Sequence, residues 1–189
     1  MARQATETKK RIMQVARSLY STHGYGTTTV DDVITASGIT KGAFYHYFKR
    51  KSDLCEDIVD KAIADYHELT ASIDADLEPI AQLGQMINRL DELHTAGYWV
   101  NCRLMLRLLA ELQQFKPQLQ GKLRDFWEWY TEFFEDLIAK CQEQGQMNST
   151  PNAKIQAQML VSILTGAVAL EKVLPSKGFY AVLAEVLLR

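Results

Sequence analysis

Two short apolar segments with separate caps lie side by side near the N-terminus of this 189-residue chain. Thr29 followed by Asp32 matches a capping box at the start of the first segment, and Gly38 is a typical helix stop. Thr40 can cap the second segment, which runs to about Phe48. Two helices this short, joined through Ser-Gly-Ile-Thr, predict a helix-turn-helix unit.

Almost every other segment repeats its apolar residues at helical spacing, and none alternates as a strand does. The predicted fold class is therefore all-α with about nine helices. We expect a three-helix helix-turn-helix module at residues 1–51 and a helical body at residues 52–189. The helices predicted outside the two short ones cover about residues 6–23, 52–73, 80–94, 101–114, 117–144, 153–173 and 179–188.

Charge is distributed unevenly between these two parts. Residues 1–53 contain nine Lys and Arg against four acidic residues, whereas residues 54–189 contain twelve against nineteen. A basic module on an acidic body is typical of a protein that binds a polyanion. The alternative is that surface charges are uneven for no functional reason.

The cysteines and the composition of the N-terminal residues indicate the cellular compartment. Cys55, Cys102 and Cys141 are an odd number without ligand-like spacing, which argues against a disulfide framework and a zinc site. The polar N-terminus lacks the apolar region of a secretory signal, and no apolar run reaches the length of a membrane span. We expect a cytoplasmic protein without a cofactor and without a membrane partner.

The second short helix has the composition of a DNA-reading helix. In a helix-turn-helix this helix enters the major groove. Phe44 and Phe48, four residues apart, would face the module interior, so that Tyr45 and His46 face outward beside Lys41. Tyr45 can donate to a phosphate and His46 can reach a base edge. The alternative is that all four aromatic residues are packing residues and the Lys-Arg-Lys run is solvated surface.

The stretch TTTVDDVITASGITKGAFYHYFKRKSDL resembles the DNA-binding signature of the TetR family of transcriptional regulators, and the resemblance covers about residues 8–60. It implies a homodimer that binds double-stranded operator DNA and a C-terminal ligand pocket whose occupation releases that DNA. The DNA contacts that it implies are at Thr28, Thr29, Thr40, Lys41, Gly42, Tyr45, His46 and Lys51. Arg3, Lys9 and Lys10 would form an N-terminal arm that reaches the DNA backbone.

The body is rich in large aromatic residues, which can line an apolar pocket with polar handles for a small molecule. The residues that we expect to line it are Tyr66, Tyr98, Trp99, Trp127 and Tyr130. The alternative is that they form ordinary core or dimer surface.

The segment GYWVNCRLMLRLLAEL, at residues 97–112, resembles the reactive-cysteine segment of TetR-type repressors that respond to electrophiles and oxidants. Lys172 stands at a basic position of that subgroup. Cys102 at a helix start beside Arg103 would have its thiolate favoured by the helix dipole and by charge. The alternative is a small buried hydrophobic residue. An enzyme with Cys102 as nucleophile lacks a base with an orienting partner.

The last two predicted helices are apolar on more than one face and must be covered. Two copies of each would form a two-fold four-helix interface, and the alternative is burial within one chain. The predicted function is a dimeric DNA-binding repressor released by a small-molecule or thiol-reactive effector. A helical small-molecule-binding protein without DNA binding, or a cysteine-dependent enzyme, is the alternative.

Overall fold

The computed structural model of the chain describes residues 2–95 and 100–170. Over these residues the fold is all-helical, as predicted, with eight α-helices and one 3₁₀ helix. They are α1 (Ala2–His23), α2 (Val30–Ser37), α3 (Lys41–Tyr47), α4 (Lys51–Ala71), α5 (Pro79–Thr95), α6 (Val100–Ala110), the 3₁₀ helix (Leu112–Gln114), α7 (Pro117–Glu143) and α8 (Ala153–Leu170). The ninth predicted helix, at residues 179–188, lies outside the described residues.

The chain packs into two compact units. The first, which we call the head unit, comprises residues 1–64 and 100–123, and the second, the body unit, comprises residues 65–99 and 124–189. Two of the three boundaries fall within α4 and α7, and the third immediately precedes α6. The division predicted after residue 51 concerns function rather than packing, and it stays a prediction.

The two short helices of the head unit have the caps that their sequence predicted. Thr29 is extended at the start of α2, where its hydroxyl accepts from the Asp32 amide at 3.1 Å and its amide donates to the Asp32 carboxylate at 2.7 Å. Gly38 ends α2 in the left-handed region, at φ 62°. The Thr40 hydroxyl then accepts from the Ala43 amide at 3.1 Å and starts α3.

One face of α1 and two rings from α3 and its C-terminal cap form part of the head core. Ile12, Ala16 and Tyr20 follow one another at a spacing of four on α1 and have no exposed surface. Phe44 and Phe48 are also buried, with their ring centroids 6.0 Å apart. The prediction that these two phenylalanines pack inward is confirmed, and the residues between them are therefore turned to the surface.

The sixth helix is shorter than predicted. It ends at Ala110 instead of continuing to residue 114, and Leu112–Gln114 form a 3₁₀ turn in which the Gln114 amide donates to the Glu111 carbonyl at 2.9 Å. A proline at position 117 disfavours helical geometry in the residue before it, so α6 and α7 cannot merge into one helix.

Helix α8 is the one described helix that is long and apolar enough to cross a membrane, whereas the sequence analysis found no such run. Its buried residues form one stripe at spacings of three and four: Ala157, Leu160, Val161, Leu164 and Val168. This stripe is the side of α8 that packs on the protein, and it accounts for only part of the apolar composition of the helix.

Candidate nucleic-acid interface

The outward face of α3 carries the side chains that were predicted to read DNA. Tyr45 is 39% exposed, His46 is exposed, and 68% of the Lys41 side chain is accessible. The Tyr45 ring rests edge-on against the buried Phe44 ring, with 5.3 Å between centroids. The buried phenylalanine thus supports a surface tyrosine, which lowers the conformational freedom that Tyr45 would lose on contacting DNA.

Gly42 has no internal reason to be a glycine. A methyl group placed on its α-carbon would meet only the Thr40 hydroxyl, at 4.0 Å, and would otherwise point into open space. No packing partner in the head unit therefore requires the missing side chain. A close approach by an external molecule, such as a DNA backbone, remains as a reason for glycine at this surface position.

Thr29 and Thr40 are both exposed, and both have their hydroxyls engaged in capping. The Thr29 amide and hydroxyl hold the pKa of Asp32 below its usual value by donating to the carboxylate. A contact from either threonine to a phosphate stays a prediction. What the structure shows is that each hydroxyl sets where its helix begins.

Thr28 is placed differently from what the resemblance implied. Its side chain is only 3% exposed, and its hydroxyl donates to the Gly24 carbonyl at 2.7 Å. A hydroxyl that is buried and already bonded is not available to a phosphate. We therefore treat Thr28 as a residue that shapes the turn between α1 and α2, and we leave it out of the proposed DNA contacts.

Lys51 also has internal partners, at the N-terminus of α4. Its ammonium donates to the Tyr25 carbonyl at 2.6 Å and to the Thr28 carbonyl at 2.8 Å, and it lies 4.0 Å from the centre of the Tyr25 ring. Burial lowers its pKa. Two of its three N–H donors thus hold the turn that precedes α2, so Lys51 positions the reading unit whether or not it also meets a phosphate.

Glu111 holds the same turn from the end of α6, a role that the sequence analysis did not predict. Its carboxylate accepts from the Tyr25 amide at 3.1 Å and from the Gly26 amide at 2.6 Å. Gly24, at φ 97°, has its α-carbon so close to this carboxylate that a side chain would collide with it. The only signal in the sequence is the Gly-Tyr-Gly run at residues 24–26, which does not reveal its partner.

Residues 12–58 match the family model described as bacterial regulatory proteins, tetR family. This segment therefore matches the N-terminal part of TetR-family regulators. The E. coli K12 HTH-type transcriptional regulator UidR is 22% identical over 169 residues, which cover 89% of this chain and 84% of UidR. UidR and the matched family are transcriptional regulators and not enzymes, which supports the prediction that this chain is not an enzyme.

Solved structures share the fold of this chain. A TetR-family regulator from Agrobacterium tumefaciens superposes with a TM-score of 0.86 at 18% identity, over 98% of this chain and all of that one. AibR, solved in complex with isovaleryl coenzyme A and operator DNA, gives a TM-score of 0.82 at 16% identity, over 96% and 98% of the two chains. At these identities the likeness establishes the fold.

In the body unit, two of the predicted effector residues, Tyr66 and Tyr130, pack on each other. Tyr66 is 5% exposed and touches the rings of Phe126, at 4.9 Å, and Tyr130, at 5.3 Å. The buried indole nitrogen of Trp127 has no hydrogen-bond partner among the described residues. The other predicted effector residues, Tyr98, Trp99 and Lys172, lie outside the described residues.

A cavity of about 220 Å³ does occur in the body unit, and its lining differs from the predicted one. It is bordered by Leu83, Ile138, Met147, Pro151, Gln156, Met159, Leu160 and Ile163. Tyr66, Trp127 and Tyr130, the predicted aromatic residues that the structure describes, do not line it. The aromatic composition of α4 and α7 therefore accounts for packing in the body unit, and this cavity is formed by α5, α7, α8 and the loop before α8.

All three cysteines are free and buried. Burial raises the pKa of the Cys55 thiol to about 12 and also raises that of Cys141, which confirms both as core residues. Cys102 is 7% exposed and lies in the first turn of α6. Its predicted position at a helix start is confirmed, whereas its reactivity stays a prediction.

Proposed function

We propose that this regulator is a dimeric repressor whose paired α3 helices read operator half-sites and whose body unit binds an effector that releases the DNA. The observation that carries the proposal is the division of α3 into two faces. Phe44 is buried, while Lys41, Gly42, Tyr45 and His46 are exposed. A helix of this size, with donors on its free face, fits the major groove.

The dimer is supported by an exposed apolar face of α8 in the described part of the chain. Ile155, Met159, Ile163 and Leu170 are 47%, 54%, 38% and 51% exposed. They follow at spacings of four, four and seven, so they share one side of the helix. A second copy of the same face would cover them in a two-fold interface. The other helix predicted to take part, at residues 179–188, lies outside the described residues.

A small-molecule effector is supported by the unpaired polar atoms of the body unit. The Trp127 indole nitrogen and one carboxylate oxygen of Asp91 are buried, and within residues 2–95 and 100–170 neither has a hydrogen-bond partner. Buried polar atoms are normally paired, so these two are places where a bound molecule would gain a donor and an acceptor. AibR, with a similar fold, was solved with an acyl-coenzyme A and operator DNA together.

The DNA-reading proposal is tested by fluorescence anisotropy on duplexes selected by the protein from a random library. We expect salt-sensitive binding, because several phosphate contacts give a steep fall of affinity with salt. Lys41→Ala with Tyr45→Ala should weaken binding at least about tenfold, since a base contact is worth about 1–3 kcal/mol. Lys140→Ala, at an exposed lysine of α7, is the control. Binding that ignores salt and survives the double change would refute the proposal.

Thiol modification is the second candidate for release, and the position of Cys102 in the first turn of α6 supports it. That helix ends one residue before Glu111, which holds the turn ahead of α2. Adding N-ethylmaleimide should release DNA from the parent protein within minutes and leave Cys102→Ser bound. Equal release from both proteins would remove Cys102 from the mechanism and leave the small-molecule effector as the means of release.

A further inference from the structure

Basic side chains of the head unit have carboxylates beside them. Three such pairs within residues 1–57, with their nitrogen–oxygen distances, are Lys9 with Asp57 at 2.7 Å, Arg50 with Asp53 at 2.7 Å and Lys41 with Asp31 at 3.8 Å. A cation that already has an anion next to it contributes less to phosphate binding than its formal charge suggests. The excess of basic residues in the N-terminal quarter therefore overstates the positive charge that this unit offers to DNA.

The pair of Lys41 with Asp31 is the loosest and the most exposed of the three. Lys41 opens α3, and Asp31 lies in the first turn of α2. Their side chains are 68% and 78% accessible, and at 3.8 Å their charged atoms are beyond hydrogen-bond distance. Exposed pairs of this kind contribute little to stability. Lys41 can therefore exchange this partner for another anion or acceptor at small cost.

The stabilising contacts that an acidic residue makes at the start of α2 are already made by Asp32, and Asp31 is not needed for them. Asp32, one residue later, supplies the carboxylate of the capping box with Thr29 and places a negative charge at the positive end of α2. Asp31 is left at the surface with its carboxylate beside a predicted DNA-reading lysine. A carboxylate there gives Lys41 an alternative partner to the phosphates, which every DNA duplex presents whatever its sequence.

We propose that Asp31 is a specificity-determining residue. On DNA in general, Lys41 stays paired with Asp31 and does not bind a phosphate. On the operator, Lys41 leaves Asp31 and donates to an acceptor on a base edge. This inference rests on the proposed reading of DNA by α3. In a non-specific complex, moving Lys41 to a phosphate would leave the Asp31 carboxylate uncompensated next to a polyanion. In the operator complex, guanine O6 and N7 accept from Lys41 together, and this contact offsets the lost pair.

The test compares Asp31→Asn with the parent on two duplexes of equal length, one selected by the parent and one scrambled. We expect the affinity for the scrambled duplex to rise about three- to tenfold, and its log–log salt dependence to steepen by about 0.9, the increment of one added phosphate contact. The affinity for the selected duplex should change less than about twofold. Asp76→Asn, which removes the same charge from an exposed site in the body unit, should change neither.

A lysine variant separates an effect through Lys41 from a general change in charge. Lys41→Gln should weaken binding to the selected duplex and leave the scrambled duplex unaffected, and adding it to Asp31→Asn should cancel the gain on the scrambled duplex. The role of Asp31 would be overturned if Asp31→Asn raised the affinity for both duplexes equally or for neither. It would also be overturned if the rise in affinity for the scrambled duplex persisted without Lys41. Failure of the DNA-reading proposal is distinct, since the parent itself would then bind without salt dependence.

Discussion

Lys51 and Glu111 show how far a residue's role depends on partners that are distant in the chain. Lys51 was predicted to contact phosphate from a basic run, and the structure gives its ammonium two backbone carbonyls, of Tyr25 and Thr28. Glu111 bonds amides 85 and 86 residues earlier. No local pattern could have predicted either contact, whereas Lys41, Tyr45 and His46 were correctly expected to be exposed because their helix is short and their neighbours are aromatic.

The Glu111 contact leads to a prediction about the turn before α2. Glu111→Ala leaves the Tyr25 and Gly26 amides without their acceptor, and we expect it to lower the free energy of unfolding by about 1–2 kcal/mol, since hydrogen bonds to charged groups are worth about 1.5–3 kcal/mol and this site is partly exposed. Urea denaturation measures the loss. Amide hydrogen exchange at these two residues should become faster in the same variant.

Glu128→Ala, at an exposed position of α7, is the matched control for Glu111→Ala and should cost less than about 0.5 kcal/mol. If both variants lose the same stability, or if exchange at Tyr25 and Gly26 is unchanged, Glu111 does not hold the turn. Weaker operator binding by Glu111→Ala would further link the end of α6 to the reading unit.

The sequence predicted best those helix ends that are determined by capping residues close by in the chain. The start of α2 depends on Thr29 and Asp32, and its end on Gly38, all within nine residues of one another. The end of α6 was predicted four residues too late, because a 3₁₀ turn replaces its last predicted residues. Caps are read from neighbouring residues, whereas a change of helix type depends on what the helix end packs against.

The body unit shows the corresponding limit for binding sites. Periodicity correctly predicted that α7 is amphipathic, with Phe126, Tyr130 and Phe134 on a buried face. It did not predict whether these rings surround a cavity or pack against one another. The centroid of the Tyr130 ring lies 5.2 Å from that of Phe134 and 5.8 Å from that of Phe126, so these rings pack against one another. A cavity depends on how several helices pack together, and composition does not determine that.

At the scale of the whole molecule, the proposal requires two copies of the chain. The uncovered apolar residues of α8 supply a surface for a second copy, and the exposed face of α3 supplies each copy with one reading element. A dimer of such units places its reading helices on half-sites about 34–36 Å apart, or a multiple of this distance. The asymmetry of charge along the chain agrees with DNA binding by the N-terminal part alone.

Methylation interference with dimethyl sulfate on the selected duplex tests the central claim most directly, because the reagent marks guanine N7 in the major groove and adenine N3 in the minor groove. We predict two clusters of interfering guanines, about 10–10.5 base pairs apart or a multiple of that, each shifted or lost in Lys41→Gln. A single cluster, interference confined to adenine N3, or a pattern indifferent to Lys41→Gln would contradict reading of the major groove by paired α3 helices.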